Sequence, residues 1–121
     1  MSDYEQQAEA LRQRTKAFAV RVVRLFRTLP KTDGARVMGR QLLRSATSVA
    51  ANYRAVCRAR SRAAFVAKLD IVVEEADESV LWLELLGETE TVSASRLNDL
   101  LNEATELTKI FAAARRTSRS R

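Results

Sequence analysis

The chain has 121 residues, the size of one domain, with only 3 Gly, 1 Pro, 1 Cys and no His. One cysteine excludes an intrachain disulfide, and the lack of histidine excludes the usual zinc, haem and Ser-His-Asp sites, so we expect no enzyme activity, metal or cofactor. The net charge of +6 is unevenly distributed: residues 12–62 have fourteen Arg or Lys and one acid, whereas residues 63–109 have eleven acids and three bases. This asymmetry indicates an anionic partner or charge pairing between the two halves.

The first half of the chain predicts two long helices, because turn-forming residues are rare and Ala, Leu, Arg and Glu are abundant. Apolar residues at three- and four-residue spacing predict helix one over residues 4–28, and Leu29-Pro30 ends it. Helix two is expected to run from an N-cap at Thr32 or Asp33 to about Ala59.

The second half predicts two more helices. Helix three should run over residues 62–86 after an N-cap at Ser61, with Gly87 in the left-handed conformation that ends a helix. A cap at Ser93 or Ser95 begins helix four, which is expected to end near Ala114.

These elements predict an all-α, up-down-up-down four-helix bundle formed by residues 1–114. Residues 115–121 are basic and polar, and we expect them to form a disordered tail. The connection between helices two and three, Ala59-Arg60-Ser61, has no Gly or Pro, so an alternative is one kinked rod.

An arginine row is predicted on helix two, within an arc of about 80° at 100° per residue and well away from the core stripe. On a continuous helix this row would be roughly 39 Å long. Arginine matches phosphate oxygens two at a time, which favours nucleic acid as the partner. Its members are Arg36, Arg40, Arg44, Arg54, Arg58 and Arg62.

The same arginines are compatible with two structural alternatives, a solvated helix face and charge pairing with the acids of helix three. Helix one adds further basic residues to this half of the molecule. They are Arg12, Arg14, Lys16, Arg21, Arg24 and Arg27. No aromatic residue interleaves with the row, so the sequence does not indicate base stacking, and we expect binding to the nucleic-acid backbone.

A second apolar stripe on helix three consists of Ile71, Leu81, Trp82 and Leu85, on the side away from the predicted core. Apolar patches of this kind mark interfaces, which predicts a homo-oligomer with Trp82 as an anchor. The alternative is that helices one and four cover helix three on both sides.

Small polar residues border the core stripe of helix two. Asn52 is a poor helix former, and we expect it to hydrogen-bond to a neighbouring helix and fix register, or to contact a ligand. Cys57 falls on the core arc and is interpreted as a small buried hydrophobe. No apolar run of about 18 residues exists and residues 1–14 are unlike a signal peptide, so we expect no membrane contact and a cytoplasmic location.

Four segments resemble the rRNA intervening-sequence proteins, a four-helix bundle family that also includes the accessory variability determinants of diversity-generating retroelements. They are Leu29-Pro30-Lys31, the stretch Gln41–Tyr53 (QLLRSATSVAANY), the stretch Arg60–Phe65 (RSRAAF), and Glu74–Ser79 (EEADES). Many members read Asn-Ile-Ala-Glu-Gly followed by another Gly. This chain continues from Asn52 as Tyr53-Arg54-Ala55-Val56-Cys57-Arg58, without the glutamate and without either glycine. The missing glycines predict a more helical turn after helix two.

The resemblance implies a bundle that assembles into a ring, commonly a homopentamer, without enzymatic activity. The retroelement members of this family are basic and bind nucleic acid and a reverse transcriptase, so the resemblance implies a nucleic-acid or protein partner here. The leading hypothesis is therefore an oligomeric adaptor that binds nucleic acid, RNA favoured over DNA, without reading its sequence. The alternative is a structural homo-oligomer with a protein partner and no nucleic-acid role.

Overall fold

The computed structural model describes residues 1–120, which form four α-helices. They are α1 (Asp3–Arg27), α2 (Asp33–Cys57), α3 (Arg62–Glu88) and α4 (Ala94–Arg119). Each helix packs against the next in sequence, α2 most extensively against α3, and α4 closes against α1. The predicted all-α, up-down-up-down four-helix bundle is confirmed.

Side-chain capping explains where three of the helices begin. The hydroxyl groups of Ser2, Thr32 and Ser61 each accept a hydrogen bond from the backbone N–H three residues further on. These bonds satisfy donors that the first helical turn would otherwise leave unpaired. The predicted cap at Ser61 is therefore confirmed, and of the two alternatives for α2 the cap is Thr32, not Asp33. Ser93 precedes α4 without a side-chain cap.

The core is mostly aliphatic and lies along the bundle axis. Each helix buries residues at helical spacing, and two aromatic side chains, Phe18 of α1 and Phe111 of α4, are almost fully enclosed. The ring of Tyr53 packs on Phe111 with the two centroids 5.1 Å apart. This burial leaves the arginines of α1 and α2 on the opposite, solvent-facing arcs.

The connection between α2 and α3 is a tight turn, so the kinked-rod alternative is wrong. Helix α2 ends at Cys57, and the N–H groups of Arg58 and Ala59 bond to carbonyls three residues earlier. Ser61 then caps α3 in an extended conformation. The chain reverses here without glycine because packing α3 against α2 buries both apolar faces.

The left-handed residue after α3 is Glu90, with φ of 58°, and not Gly87 as predicted. Helix α3 continues through Gly87 to Glu88, and Val92 beyond the turn is buried in the core. A methyl group on Gly87 would lie 3.3 Å from Leu97 Cδ1. Gly87 thus accommodates the close approach of α4.

Helix α4 extends to Arg119, which corrects the predicted end near Ala114 and the disordered tail over residues 115–119. The physical reason is contact with α3: Arg119 Nη2 lies 2.8 Å from Asp70 Oδ2, and Arg62 donates to the carbonyl of Ser118. The last predicted tail residue, Arg121, lies outside the described residues.

Candidate nucleic-acid interface

The predicted arginine row is divided between two helices. Arg36, Arg40, Arg44 and Arg54 lie on α2 and are exposed, Arg58 is the C-cap residue of α2, and Arg62 begins α3. From Arg36 to Arg54 the row spans about 27 Å at 1.5 Å per residue. The continuous row of roughly 39 Å is therefore wrong, because the turn after Cys57 interrupts the helix.

Arg44 is engaged by acids of the same molecule. Its Nη1 lies 2.7 Å from Glu75 Oε2, and its Nη2 pairs with Glu78. These hydrogen bonds hold the pKa of Glu78 below its ordinary value, with Arg44 the largest cause and the Trp82 indole N–H a smaller one. For Arg44 the charge-pairing alternative is correct, and this residue belongs to the α2–α3 contact.

Arg62 also serves the fold. Its guanidinium donates to the backbone carbonyl of Ser118 near the end of α4. This contact links the first turn of α3 to the last turn of α4. Arg62 therefore lies on a different helix from the arginines of α2 and is engaged in a contact of its own.

Two arginines predicted to extend the basic face from α1 are likewise paired. Arg12 bonds to Glu9 one turn earlier, and Arg14 makes ion pairs across the bundle with Glu103 and Glu106 of α4 at 2.8 and 2.7 Å. The hydrogen bond from Arg14 lowers the pKa of Glu103 despite the opposing effect of burial. Arg14 therefore closes the α1–α4 contact and is not available to a partner.

The remaining basic residues of this half form what we call the open basic surface. None of them lies within 4.0 Å of a carboxylate oxygen of residues 1–120, and all are exposed. They are Lys16, Arg21, Arg24, Arg27, Lys31, Arg36, Arg40, Arg54, Arg58 and Arg60. Like charges without partners repel one another, so a bound anion would stabilise this surface.

The middle of the open basic surface is a groove between α1 and α2. Its cavity of about 470 Å³ is lined by Lys16, Arg54 and Arg58, with small residues that include Ala50 and Ala51 as its floor. Small side chains keep the groove open while the cations stand at its rim. A polyanion lying along this groove could contact both helices at once.

Sequence reasoning missed the pocket at the α1–α2 connection. There Arg27 and Lys31 join Arg36 and Arg40 around an apolar floor, in a pocket of about 330 Å³. The signal that could have found it is Leu29-Pro30, a turn that brings the basic end of α1 next to the basic start of α2.

The predicted interface stripe on α3 is only partly exposed. Ile71 and Leu81 are 37% and 47% exposed, whereas Trp82 and Leu85 are half-buried. The Trp82 indole N–H donates to Glu78 Oε1 at 3.2 Å, and its ring packs against the core. Neighbouring helices thus cover part of the stripe, and two apolar side chains remain on the surface.

The polar residues at the edge of the α2 core make different bonds from those expected. The Asn52 amide donates to the carbonyl and hydroxyl of Ser48 one turn earlier, within α2. The interhelical bond is made instead by Ser45 and Ser79, whose buried hydroxyls lie 2.8 Å apart. Cys57 is half-buried rather than enclosed, and packs at the edge of the core.

Two further findings concern residues 1–120. No helix among them is both long and apolar enough to cross a membrane. Within the same range, no group of three or more His, Cys, Asp or Glu side chains is arranged to hold a metal ion.

Residues 9–113 match the model of the 23S rRNA-intervening sequence protein family. A solved crystal structure from Bacteroides thetaiotaomicron VPI-5482, described as a protein with unknown function from the S23 ribosomal protein family, is 37% identical. The match covers 90% of this chain and 97% of that chain with a TM-score of 0.82. No curated protein matches the chain.

Proposed function

The chain belongs to the 23S rRNA-intervening sequence protein family, and we propose that it is a non-enzymatic adaptor that binds nucleic acid, RNA in preference to DNA. The observation that carries the proposal is that Arg36, Arg40, Arg54 and Arg58 are exposed without a carboxylate partner in the described part of the chain. The family description favours RNA as the partner and, with it, a cytoplasmic location.

The mechanism of binding is contact with phosphates. Each guanidinium presents a planar fork that donates two hydrogen bonds to one phosphate group, and its positive charge displaces counterions from the nucleic acid. The arginines on α2 are held by a helix, so their spacing is fixed before binding. Contacts of this kind position a nucleic acid without reading its sequence.

The test is a salt titration of binding to labelled single-stranded and duplex RNA and DNA, with protein freed of copurified nucleic acid. Four phosphate contacts predict a slope of log K against log salt of about −3 for single strands, because each contact contributes about −0.7. Replacing Arg36 and Arg40 by Ala should reduce that slope by about half and weaken binding to all sequences alike.

The matched control is Lys68→Ala, which removes one exposed positive charge from α3, outside the open basic surface. This variant should bind as the unaltered protein does. Absence of RNA and DNA binding at low salt, or equal losses in the control and the arginine variant, would refute the adaptor proposal.

The second candidate function is a structural homo-oligomer, and the exposed pair Ile71 and Leu81 on α3 favours it. Acids flank this pair, among them Glu74 and Asp77, while exposed Val20 on α1 lies in a shallow groove with basic neighbours. The two faces are complementary in charge and lie on different sides of the molecule. Head-to-tail contacts of this kind close into a ring when the rotation between successive copies closes, and the family resemblance favours a pentamer.

Light scattering after size exclusion tests the oligomer. The assembly should persist when salt is raised if apolar contact holds it together, and it should dissociate when Ile71 and Leu81 both become Ser. The control is Val37→Ser, which replaces an exposed apolar side chain on α2. A monomer at all concentrations would exclude this candidate and leave the arginine surface to act alone.

A further inference from the structure

The pocket at the α1–α2 connection combines charge with apolar surface. Four cations line it: Arg27 at the end of α1, Lys31 in the connection, and Arg36 and Arg40 on α2. None of the four makes an ion pair within residues 1–120, and the nearest acid in sequence, Asp33, does not line the pocket. Phosphate is the chemistry that this charge arrangement fits.

The floor of the pocket includes an aromatic ring and a proline, which the groove lined by Lys16, Arg54 and Arg58 lacks. Phe26 and Leu29 line it as half-buried side chains, Pro30 is exposed, and Ala35 is buried beneath them. Water cannot form hydrogen bonds with these apolar side chains, whereas the flat face of a nucleobase can pack on them and remove them from water. A nucleotide within a duplex could not place its base on this floor, because that base is already stacked and paired.

The floor is also held in place before any ligand arrives. Gly39 of α2 lies under Leu29 and Phe26, whose atoms are so close that any side chain at this position would force them to move. On the other side, Arg96 of α4 donates a 2.7 Å hydrogen bond to the Thr28 hydroxyl. A connection fixed by contacts on both sides loses little conformational freedom on binding.

We propose that this pocket holds one unpaired nucleotide of a single-stranded RNA, with its base on the floor formed by Phe26, Leu29 and Pro30 and its phosphates on Arg36 and Arg40. This inference rests on the proposed nucleic-acid binding and adds a preference that phosphate contact alone cannot give. Single-stranded segments should bind more tightly than duplexes of equal charge, whatever their sequence.

The first experiment compares two single strands of equal length and charge, one an oligouridylate and the other made of abasic nucleotides. Contact between a base and an apolar surface should make the oligouridylate bind about five-fold more tightly, with the same dependence on salt. If the two strands bind with equal affinity, the inference is overturned. The phosphate-contact proposal would still stand in that case, because both strands bind.

The second experiment locates the base. Oligouridylate containing thiouridine is crosslinked by light to the intact protein, and the crosslinked residue is identified by fragmentation mass spectrometry. Crosslinks should fall on residues 26–30 and should be lost in the Arg36→Ala, Arg40→Ala double variant but not in Lys68→Ala. Crosslinks confined to the groove near Arg54 and Arg58 would overturn the inference. Failure of every RNA to bind at low salt would refute the adaptor proposal as well.

Discussion

Arg44 and Arg40 are neighbours on one face of α2, and their replacement by Ala should affect different properties, stability for Arg44 and RNA binding for Arg40. Arg44 is 48% exposed and bridges to Glu75, which is only 14% exposed. Its loss leaves that carboxylate partly buried without a counter-charge. Solvent screens the pair, so we expect a loss of about 1 kcal/mol in the free energy of unfolding. For a chain of this size that corresponds to a fall in Tm of about 4 °C.

Arg40 has no carboxylate partner in the described part of the chain, so Arg40→Ala should leave Tm nearly unchanged. It should instead reduce the salt dependence of RNA binding by about one phosphate contact, which Arg44→Ala should not do. Thermal unfolding followed by circular dichroism and salt titration of RNA binding measure the two effects. Arg44→Ala with an unchanged Tm and a reduced salt slope would refute the reasoning.

Three further predictions concern stability alone. The pKa of Glu103 is lowered by its hydrogen bond with Arg14, so its contribution to stability is present above the ordinary value of 4.5 and is lost as pH falls through the lower folded value. Glu103→Gln should therefore destabilise the protein at neutral pH and flatten the decline in acid, as urea unfolding at several pH values would reveal; an unaltered pH profile would contradict the assignment. Gly34→Ala should raise the free energy of unfolding by about 0.5 kcal/mol, because Gly34 has no positive φ and no atom within 4 Å of an added methyl group. Gly39→Ala should lower it by about 1 kcal/mol, because the methyl group would lie 2.5 Å from Leu29 Cδ1. A rise in stability for Gly39→Ala would show that Leu29 moves away freely.

For the arginine row, the sequence pattern predicts which side chains share a helix face but not which of them are paired with acids. Spacing alone correctly placed Arg36, Arg40, Arg44 and Arg54 on one exposed face, because side-chain direction follows from 100° per residue. Spacing could not tell that Arg44 alone faces the acids of α3. That pairing depends on the axial register between α2 and α3, which is a property of the packed pair and not of either helix alone.

In the last turn of α4, the structure contains helix that the local sequence does not predict. Residues 115–119 are too polar to predict a helix from their own sequence, and isolated helix ends fray. Asp70 and Arg62 of α3 supply partners for Arg119 and for the Ser118 carbonyl, and these contacts accompany the extended helix. The connection after Cys57 is similar, since packing and the Ser61 cap end α2 where the sequence has neither Gly nor Pro.

The amino-acid sequence by itself determined the helical class, the number of helices, the cap at Ser61, and the gathering of positive charge on the first half of the chain. These are local properties, set by propensity, by apolar periodicity and by the hydrogen bonds that a hydroxyl offers to the next turn. Only the tertiary structure decided which cations are paired within the molecule and where Leu29-Pro30 forms a pocket with Arg36 and Arg40. Both depend on distances between helices, and those distances are fixed only when the four apolar faces close on one another.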